Sequence, residues 1–325
     1  MRVGMDVTPL RLTRAGTARY LRNLLAYLPA HEKVEVRRVA FGGAGKASVL
    51  ARELVWYPFV LGRADGIDVL HCPTYYGPLR SRAPLVVTVH DLSVLRYPDA
   101  FPRWTRTFVP RYVPRVLRAA ARVIAVSEFT KRELVELLGV SEGKIRVVPN
   151  AVEPVFRPEG PAADGRYVLA VGTLEPRKNL DRLARAAQNI GVELRVVGAR
   201  GWGQPAIARV RYLGEVSDDE LASLYRGAAA VAYPSLYEGF GIPVLEAMSC
   251  GAPVVTSRGS ATEEVAGGAA VLVDAFDVDS IGGGIRAALA RRDELRARGL
   301  ERAQAFSWDD VARRTVDVYR EVTRV

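Results

Sequence analysis

Short apolar runs alternate along the chain with segments whose apolar residues recur at helical spacing. In residues 1–150 the runs predict six strands, near 2–7, 34–40, 67–71, 84–89, 122–126 and 144–148. The segments between them predict helices at 17–28, 104–121 and 127–138. Strands that alternate with helices are typical of a parallel sheet with helices on its faces. The first half of the chain is therefore expected to form an α/β domain.

The second half repeats this architecture from residue 167 onward. Its apolar runs predict strands near 167–172, 192–198, 209–213, 228–233, 252–256 and 270–274. Helices are predicted at 179–189, 217–227, 242–250 and 279–290. Residues 149–165 join the halves and contain four prolines, which exclude a long helix there. We expect two Rossmann-like, doubly wound domains facing a cleft, with ligands at the carboxyl ends of the strands.

The amino-acid composition excludes several classes of protein. With 49% hydrophobic and 25% charged residues, the 325-residue chain has a globular composition, and no apolar run approaches the ~20 residues that cross a bilayer. The first residues lack the apolar region of a signal peptide. Cys72 and Cys250 are too few for a disulfide framework or a structural zinc site. A cytoplasmic location is expected.

The net charge of +10 is distributed unevenly along the chain. Residues 1–150 carry 24 Lys+Arg against 12 Asp+Glu, whereas residues 151–325 carry 22 against 24. The basic first half points to an anionic partner, which can be an acidic substrate, a membrane surface or a nucleic acid.

The segment 234–255 carries the strongest chemical signal. A glycine-rich turn after a predicted strand leads into a helix with Pro243 near its first turn. Backbone amides at such a helix N-terminus bind phosphate or sugar oxygens. The amides concerned are those of Gly239, Phe240 and Gly241. Glu238 and Glu246 are eight residues apart and are expected to meet different parts of one elongated ligand, with a carboxylate on a ribose; the alternative is a capping acid and a solvated helix glutamate.

A second signal is the segment 172–180, which directly follows the first strand of the second half. Arg177 and Lys178 stand where this strand gives way to a helix. Two adjacent cations at that position can neutralise a diphosphate, the arginine as a planar fork and the lysine as a point charge. The alternative is a solvated basic turn.

The sequence contains three histidines and one closely spaced acidic pair that could bind a metal or act in a site. His31 is expected to be solvated and His71 to be a buried structural residue, whereas His90 ends a strand in a His-Asp sequence that fits a cleft. No histidine has a second ligand at metal spacing, so a zinc site is not expected. Asp277 and Asp279 match a metal-binding D-x-D pattern, but they stand just before a helix, where aspartate is a common cap.

Taken together, these motifs resemble glycosyltransferases of family 4, which have the GT-B fold. The resemblance rests on EPRKN at 175–179 with E-x7-E at 238–246, the loop at Gly16–Tyr20, His90-Asp91 and the sequence at 127–130. It covers essentially the whole chain. It implies that the last helix crosses back to the first domain, so the expected domains are 1–150 plus 309–325 and 166–308, with a linker at 151–165.

The resemblance also implies roles for individual residues. Arg177 and Lys178 bind the donor diphosphate, Glu238 and the 239–241 amides hold the donor sugar, and Glu246 binds the ribose. Gly16 closes over the phosphates or the acceptor from the first domain, although its loop lacks the glycine pair of many members. His90 lies beside the reacting sugar, and the backbone at Val216 contacts the base.

We expect a retaining transferase that moves a hexose from a nucleotide-diphosphate sugar to an acceptor hydroxyl, without a metal ion or other cofactor. The family resemblance favours mannose and GDP-mannose. A nucleotide-sugar epimerase of the same fold is the closest alternative. An NAD-dependent oxidoreductase would need a G-x-G-x-x-G turn that neither half supplies, and a basic nucleic-acid-binding protein would need a module that is not found here, so no nucleic-acid partner is expected.

Residues 96–122 combine seven arginines and one aspartate with five aromatic residues. Arginine mixed with aromatic rings on a helix suits a surface that lies on anionic headgroups. This pattern predicts a glycan or lipid-linked acceptor and a peripheral contact with the cytoplasmic face of a membrane. The alternative is that the rings are core residues and the arginines a solvated face.

Overall fold

The structure of the protein, a computed structural model, describes residues 1–13, 16–31, 33–164, 166–200 and 210–323. The chain divides into two compact units, one formed by Met1–Asn150 with Ser307–Val325 and the other by Ala151–Phe306. Within the predicted linker, the ring of Phe156 is buried and meets the ring of Tyr225 edge-on, with 6.0 Å between the centroids. This stretch therefore packs with the second unit.

The described part of the first unit contains a six-stranded parallel sheet. Its strands are β1 Arg2–Asp6, β2 Glu35–Val39, β3 Val69–Cys72, β4 Leu85–Val89, β5 Arg122–Ala125 and β6 Ile145–Val147. They lie in the order β2-β1-β3-β4-β5-β6. Every residue of β4 is buried, which explains why four of its five residues are apolar, because helices cover both faces of such sheets. The predicted strands are confirmed to within two residues at either end.

The second unit contains, among its described residues, another six-stranded parallel sheet. Its strands are β7 Tyr167–Val171, β8 Glu193–Val197, β9 Val210–Gly214, β10 Ala230–Tyr233, β11 Val254–Ser257 and β12 Val271–Val273. Their order is β12-β11-β10-β7-β8-β9, so the direction of winding reverses between β7 and β10. In doubly wound sheets the ligand site lies at the carboxyl ends of the strands at this reversal. The predicted α/β class with two doubly wound sheets is confirmed.

The helices connect the strands as predicted. Those of the first unit are α1 Pro9–Leu12, α2 Gly16–Tyr27, α3 Lys46–Ala51, α4 Ser93–Arg96, α5 Arg103–Ala119 and α6 Glu128–Leu138. Those of the second are α7 Leu180–Asn189, α8 Asp218–Gly227, α9 Ile242–Ser249, α10 Ala261–Ala266, α11 Val278–Ala290 and α12 Arg292–Ala303. The side chain of Ser217 accepts a hydrogen bond from the backbone amide of Glu220 and so caps α8.

The last helix, α13 Trp308–Thr323, belongs to the first unit and packs against α2. Its buried face includes Trp308 and Tyr319. Near its end, the carboxylate of Glu321 accepts from the Nε atoms of Arg122 and Arg146, each at 2.9 Å, and so ties the helix to β5 and β6. The predicted return of the last helix to the first domain is confirmed.

The sequence patterns do not predict the short helices α1, α4 and α10, nor two longer helical regions. One comprises α3 and the π-helix Arg52–Val60, in which apolar residues recur four and five positions apart instead of following the α-helical period. The other is α12, in which only Leu295 and Gly299 are buried. A helix without a broad apolar stripe gives no periodic signal in the sequence.

Candidate active site

The candidate site is built on the loops that follow β7 and β10, which are adjacent strands of the second sheet. The first loop carries Arg177 and Lys178 in a short 3₁₀ turn, and the second carries Glu238. A backbone hydrogen bond of 2.8 Å from the amide of Leu236 to the carbonyl of Arg177 joins the loops. The strand order therefore brings together two motifs that are about sixty residues apart.

Glu238 lies between the two predicted cations. Its Oε1 atom accepts from Nζ of Lys178 at 2.7 Å, and its Oε2 atom accepts from a terminal nitrogen of Arg177 at 3.1 Å. The hydroxyl of Tyr233 donates to the same Oε1 at 2.9 Å. Arg177 also donates through Nε to Glu175 at 2.9 Å. The side chains of Arg177 and Lys178 are only 17% and 11% exposed, which excludes the alternative of a solvated basic turn.

The charges of this cluster support one another in a buried setting. Burial opposes ionisation of Glu238, but the ammonium of Lys178 and the guanidinium of Arg177 outweigh it and lower the pKa of Glu238 to about 2. Burial lowers the pKa of Lys178, and the carboxylate of Glu238 counteracts this shift. Glu238 is therefore ionised at neutral pH and fixes the two cations in place.

Asn179, next to Lys178, is a site residue that the sequence analysis does not assign. It is buried in the left-handed region at φ 59° and forms the N-cap of α7. Its Nδ2 donates to the carbonyl of Pro234 at 3.0 Å and to that of Ala275 at 2.5 Å. These bonds tie the first loop to the loops after β10 and β12. The sequence signal for this residue is the asparagine of EPRKN itself, because asparagine tolerates the left-handed backbone that this turn needs.

The glycine-rich turn leads into α9 as expected, with Pro243 in its first turn. Gly241 is the residue before the helix and has φ 105°, a conformation that disfavours side chains. A Cβ atom there would lie 2.6 Å from Cγ2 of Thr262. Phe240 is buried and contacts Phe306 edge-on. Gly239 and its neighbours thus stand at a helix N-terminus, where amides can bind an anion.

Glu246 lies inside α9 and is 1% exposed, so it is not the solvated helix glutamate of the alternative interpretation. The hydroxyl of Tyr225 donates to its Oε2 atom at 2.8 Å. Burial, together with the charge of Glu246, raises the pKa of Tyr225 well above its usual value, which keeps this hydroxyl a donor. Val216, predicted to contact the base, is half-buried between β9 and the cap of α8.

Two predicted site residues belong to the first unit. His90 follows β4, and its Nε2 donates to the carbonyl of Pro73 at 3.0 Å, so Nδ1 keeps its lone pair. Burial lowers the pKa of His90, and its ring stands edge-on to Tyr20 at 4.8 Å between the centroids. Gly16 is exposed and is the first residue of α2, while residues 14 and 15 of its loop lie outside the described residues.

The remaining polar candidates have structural partners. His71 is buried in hydrogen bonds, and Asp277 caps α11 by accepting from the amide of Asp279 at 2.9 Å. His31, expected to be solvated, is half-buried at the surface, and its Nε2 lies 3.0 Å from Oδ1 of the exposed Asp309. Within the described ranges, no cluster of three or more His, Cys, Asp or Glu residues is arranged to hold a metal ion.

The aromatic side chains of residues 96–122 differ from the expectation of an exposed ring surface. Tyr112 is buried and donates its hydroxyl to the carbonyl of Gly77 at 2.5 Å, while Phe101 and Phe108 pack against the core. Trp104 is 41% exposed. The alternative of core rings is therefore confirmed for Tyr112, Phe101 and Phe108. Membrane contact of the exposed Trp104 stays a prediction. In the part of the chain that the structure describes, no helix is both long and apolar enough to cross a membrane.

The chain is similar to known glycosyltransferases over most of its length. The sequence model described as "Glycosyltransferase Family 4" matches residues 14–156, and that described as "Glycosyl transferases group 1" matches residues 152–306. The O-antigen chain mannosyltransferase B of Escherichia coli is 34% identical over 282 residues, which cover 78% of this chain and 74% of that protein.

A second relative is the MMP alpha-(1->4)-mannosyltransferase of Mycolicibacterium hassiacum, which is 30% identical over 301 residues, covering 80% of this chain and 72% of the relative. Among solved structures, Anabaena Alr3699/HepE in complex with UDP and glucose superposes with a TM-score of 0.76 at 18% identity, covering 99% of this chain and all of that one. At this identity the likeness shows the GT-B fold.

Proposed function

The chain belongs to glycosyltransferase family 4, and on that premise we propose that it transfers a hexose, with retention at the anomeric carbon, from a nucleotide-diphosphate sugar to an acceptor hydroxyl. Membership of this family makes the chain a glycosyltransferase. The family does not favour an epimerase or a nucleic-acid-binding protein. We propose in addition the identity of the sugar, its donor and its acceptor, and the retention of configuration.

The buried cluster of Arg177, Lys178 and Glu238 is the main support for this proposal, and it lies where the winding of the second sheet reverses. An ammonium has three donors. Among the described residues, Nζ of Lys178 donates to Tyr233 and Glu238, which leaves one proton for a phosphate oxygen. Preorganised donors in a dry site stabilise charge that grows on a leaving diphosphate.

In the proposed reaction the enzyme supplies no nucleophile. The acceptor oxygen forms a bond to the anomeric carbon on the face from which the diphosphate leaves, as the bond from that carbon to the phosphate oxygen breaks. The departing phosphate oxygen takes the proton of the acceptor hydroxyl. Arg177, Lys178 and the amides of residues 239–241 stabilise the developing charge, so the reaction is proposed to need no metal ion.

The other site residues are proposed to position the donor. Glu238 and the 239–241 amides hold the sugar, the buried Glu246 accepts from the ribose hydroxyls, and the backbone at Val216 contacts the base. From the first unit, Gly16 contacts the phosphates or the acceptor, and His90 faces the reacting sugar with the lone pair of Nδ1 available. These assignments follow the family pattern, and the burial of Glu238 and Glu246 supports them.

The proposed donor is GDP-mannose, because two relatives are named mannosyltransferases. The proposed acceptor is a glycan or a lipid-linked glycan, used by a protein that contacts an anionic membrane on its cytoplasmic face. The excess of basic residues in the first half supports an anionic partner there.

A two-step experiment tests the proposed function. Thermal-shift screening of GDP-, UDP- and ADP-sugars identifies the donor, since a ligand at 100 times its Kd stabilises the fold by about 2.7 kcal/mol. Transfer from that donor to acceptors with and without a lipid is then followed by NMR of the product anomer. Retention and acceptor dependence are expected. An inverted product contradicts the proposed course, and a new sugar isomer formed without acceptor identifies an epimerase.

A further inference from the structure

The first unit exposes a row of apolar side chains on α3 and the π-helix that follows it. We call these five residues the apolar ridge: Leu50 (45% exposed), Leu54 (46%), Val55 (53%), Phe59 (59%) and Val60 (37%). Single exposed apolar residues are ordinary on a protein surface, but contiguous ones mark interaction sites. Five within eleven residues therefore require an explanation.

The helical geometry puts these side chains on one face. A π-helix bonds residue i to residue i+5, so positions four and five apart lie above one another. The spacing from Leu50 through Leu54 and Val55 to Phe59 and Val60 follows this rule. The opposite side of the same element is buried through Tyr57 and Pro58. The helix is thus anchored by one face and presents the apolar ridge on the other.

A surface of arginines adjoins the apolar ridge on one side. Nε1 of Trp104, the exposed aromatic residue of α5, donates to Oε2 of Glu53 at 2.5 Å and so places the start of α5 against the π-helix. Further along α5, Arg111 and Arg115 line a groove of about 320 Å³ together with Trp104. Five arginines of this helix are exposed: Arg103, Arg106, Arg111, Arg115 and Arg118.

Arginines also line the opposite end of the apolar ridge. Phe59 contributes to a groove of about 550 Å³ that is lined by Arg63, Arg80 and Arg82 as well as by apolar groups. All three arginines are exposed. Of these, Arg82 contacts Asp65 at 2.5 Å. The apolar ridge therefore lies between two sets of exposed cations.

We propose that the apolar ridge is a membrane-docking element that inserts into an anionic bilayer while the flanking arginines contact lipid headgroups. An apolar strip bordered by basic residues is the chemistry of helices that lie in a membrane interface, and tryptophan prefers the headgroup level. A second copy of this chain is a poor occupant, because a symmetric contact would place the same cations against one another.

This inference deepens the proposed membrane-side acceptor site and rests on that proposal for its biological role, whereas its test does not. The proposed membrane interface lies on the apolar ridge and not on the rings of residues 96–122, three of which pack against the core. Arginines of α5 are retained as headgroup contacts. Vesicle binding is measured without donor or acceptor, so it can fail in an active transferase and succeed in an inactive one.

The experiment compares matched variants in sedimentation with phosphatidylcholine vesicles that contain or lack phosphatidylglycerol. Phe59→Glu and Val60→Glu are expected to weaken binding to the anionic vesicles by about tenfold or more, as loss of one inserted side chain implies. The controls are Phe276→Glu and Val135→Glu, which replace residues that are 65% and 37% exposed elsewhere on the chain. These controls are expected to bind as the wild type does.

Two further measurements complete the test. Replacing Arg63 and Arg80 by Glu is expected to weaken binding, and raising ionic strength from about 0.1 M to 1 M is expected to weaken it as well, because the Debye length falls from about 10 Å to 3 Å. Equal melting temperatures establish that the variants are folded. Unchanged vesicle binding of both Phe59→Glu and Val60→Glu overturns the proposal. So does a wild-type dimer in light scattering that Phe59→Glu converts to a monomer without affecting vesicle binding.

Discussion

The Nδ1 atom of His71 lies 2.6 Å from the hydroxyl oxygen of Tyr319, although 248 residues separate them. On the other side of the ring, Nε2 lies 2.8 Å from Oγ1 of Thr88. This buried contact joins β3 and β4 to the last helix. The C-terminal helix is thus fixed to the first unit by a specific polar contact as well as by apolar packing.

Tyr319→Phe is expected to lower the free energy of unfolding by about 1–3 kcal/mol, because it leaves a ring nitrogen of His71 buried without its partner. Urea unfolding at neutral pH measures the change. Tyr27→Phe, at a half-buried position of α2, is the matched control and is expected to leave stability within about 0.5 kcal/mol of the wild type. Equal effects of the two substitutions would contradict the importance of the contact.

The stability of the first unit is expected to fall on acidification. Burial lowers the pKa of His71 from 6.5 to about 3. Between these values the unfolded chain binds a proton that the folded chain does not, so stability is full above pH 6.5 and is lost as the pH falls. The loss is about 1.4 kcal/mol per pH unit for one histidine. Urea titrations between pH 7 and 4 measure it.

His71→Gln is the control for this pH dependence and should give a shallower slope, whatever its effect on stability at neutral pH. Some slope will persist, because burial also lowers the pKa of His90. A slope that is identical in His71→Gln and the wild type would show that other groups govern acid unfolding.

Arg177→Ala and Lys178→Ala are each expected to lower kcat by about 10²–10³, the typical effect of removing one preorganised donor. Steady-state transfer assays with the identified donor measure this. Arg185→Ala, at an exposed position on the adjacent helix α7, is the matched control and should retain wild-type kcat. Turnover near the wild-type rate in either cation variant would refute the assigned role.

Asn179 allows its backbone and side-chain contributions to be separated. Asn179→Gly keeps the left-handed conformation but loses both Nδ2 hydrogen bonds, and is expected to destabilise the protein by about 1–3 kcal/mol for each carbonyl left buried. Asn179→Ala is expected to cost about 1–2 kcal/mol more, because its Cβ disfavours φ 59°. Thermal unfolding of the two variants gives the difference. Equal stability would show that the conformation relaxes.

Transfer is expected to continue in EDTA, because two fixed cations and a helix terminus can perform at the diphosphate the role of a divalent ion. The assay compares initial rates with chelator, and with added Mg²⁺ or Mn²⁺. Loss of activity in chelator that either ion restores would establish a metal requirement and overturn this expectation.

The sequence by itself determined the strands, most helices and the position of the chemical motifs. A strand buried on both faces, such as β4, is mostly apolar, and a helix packed by one face must repeat its apolar residues, so both leave a local pattern. Caps are equally local, because Ser217 and Asp277 bond to amides within three residues. These features need no knowledge of distant partners.

Only the tertiary structure decided which of these local features meet. Lys178 and Glu238 pair because β7 lies beside β10, and the strand order is a property of the whole sheet. The tie from Asn179 to Ala275 has the same origin. Local patterns show that a side chain is apolar but not whether another element covers it. For example, Phe108 packs against the core whereas Phe59 is exposed, although both are apolar in the sequence. The proposed membrane contact is assigned to Phe59 and its neighbours because the tertiary structure leaves them uncovered.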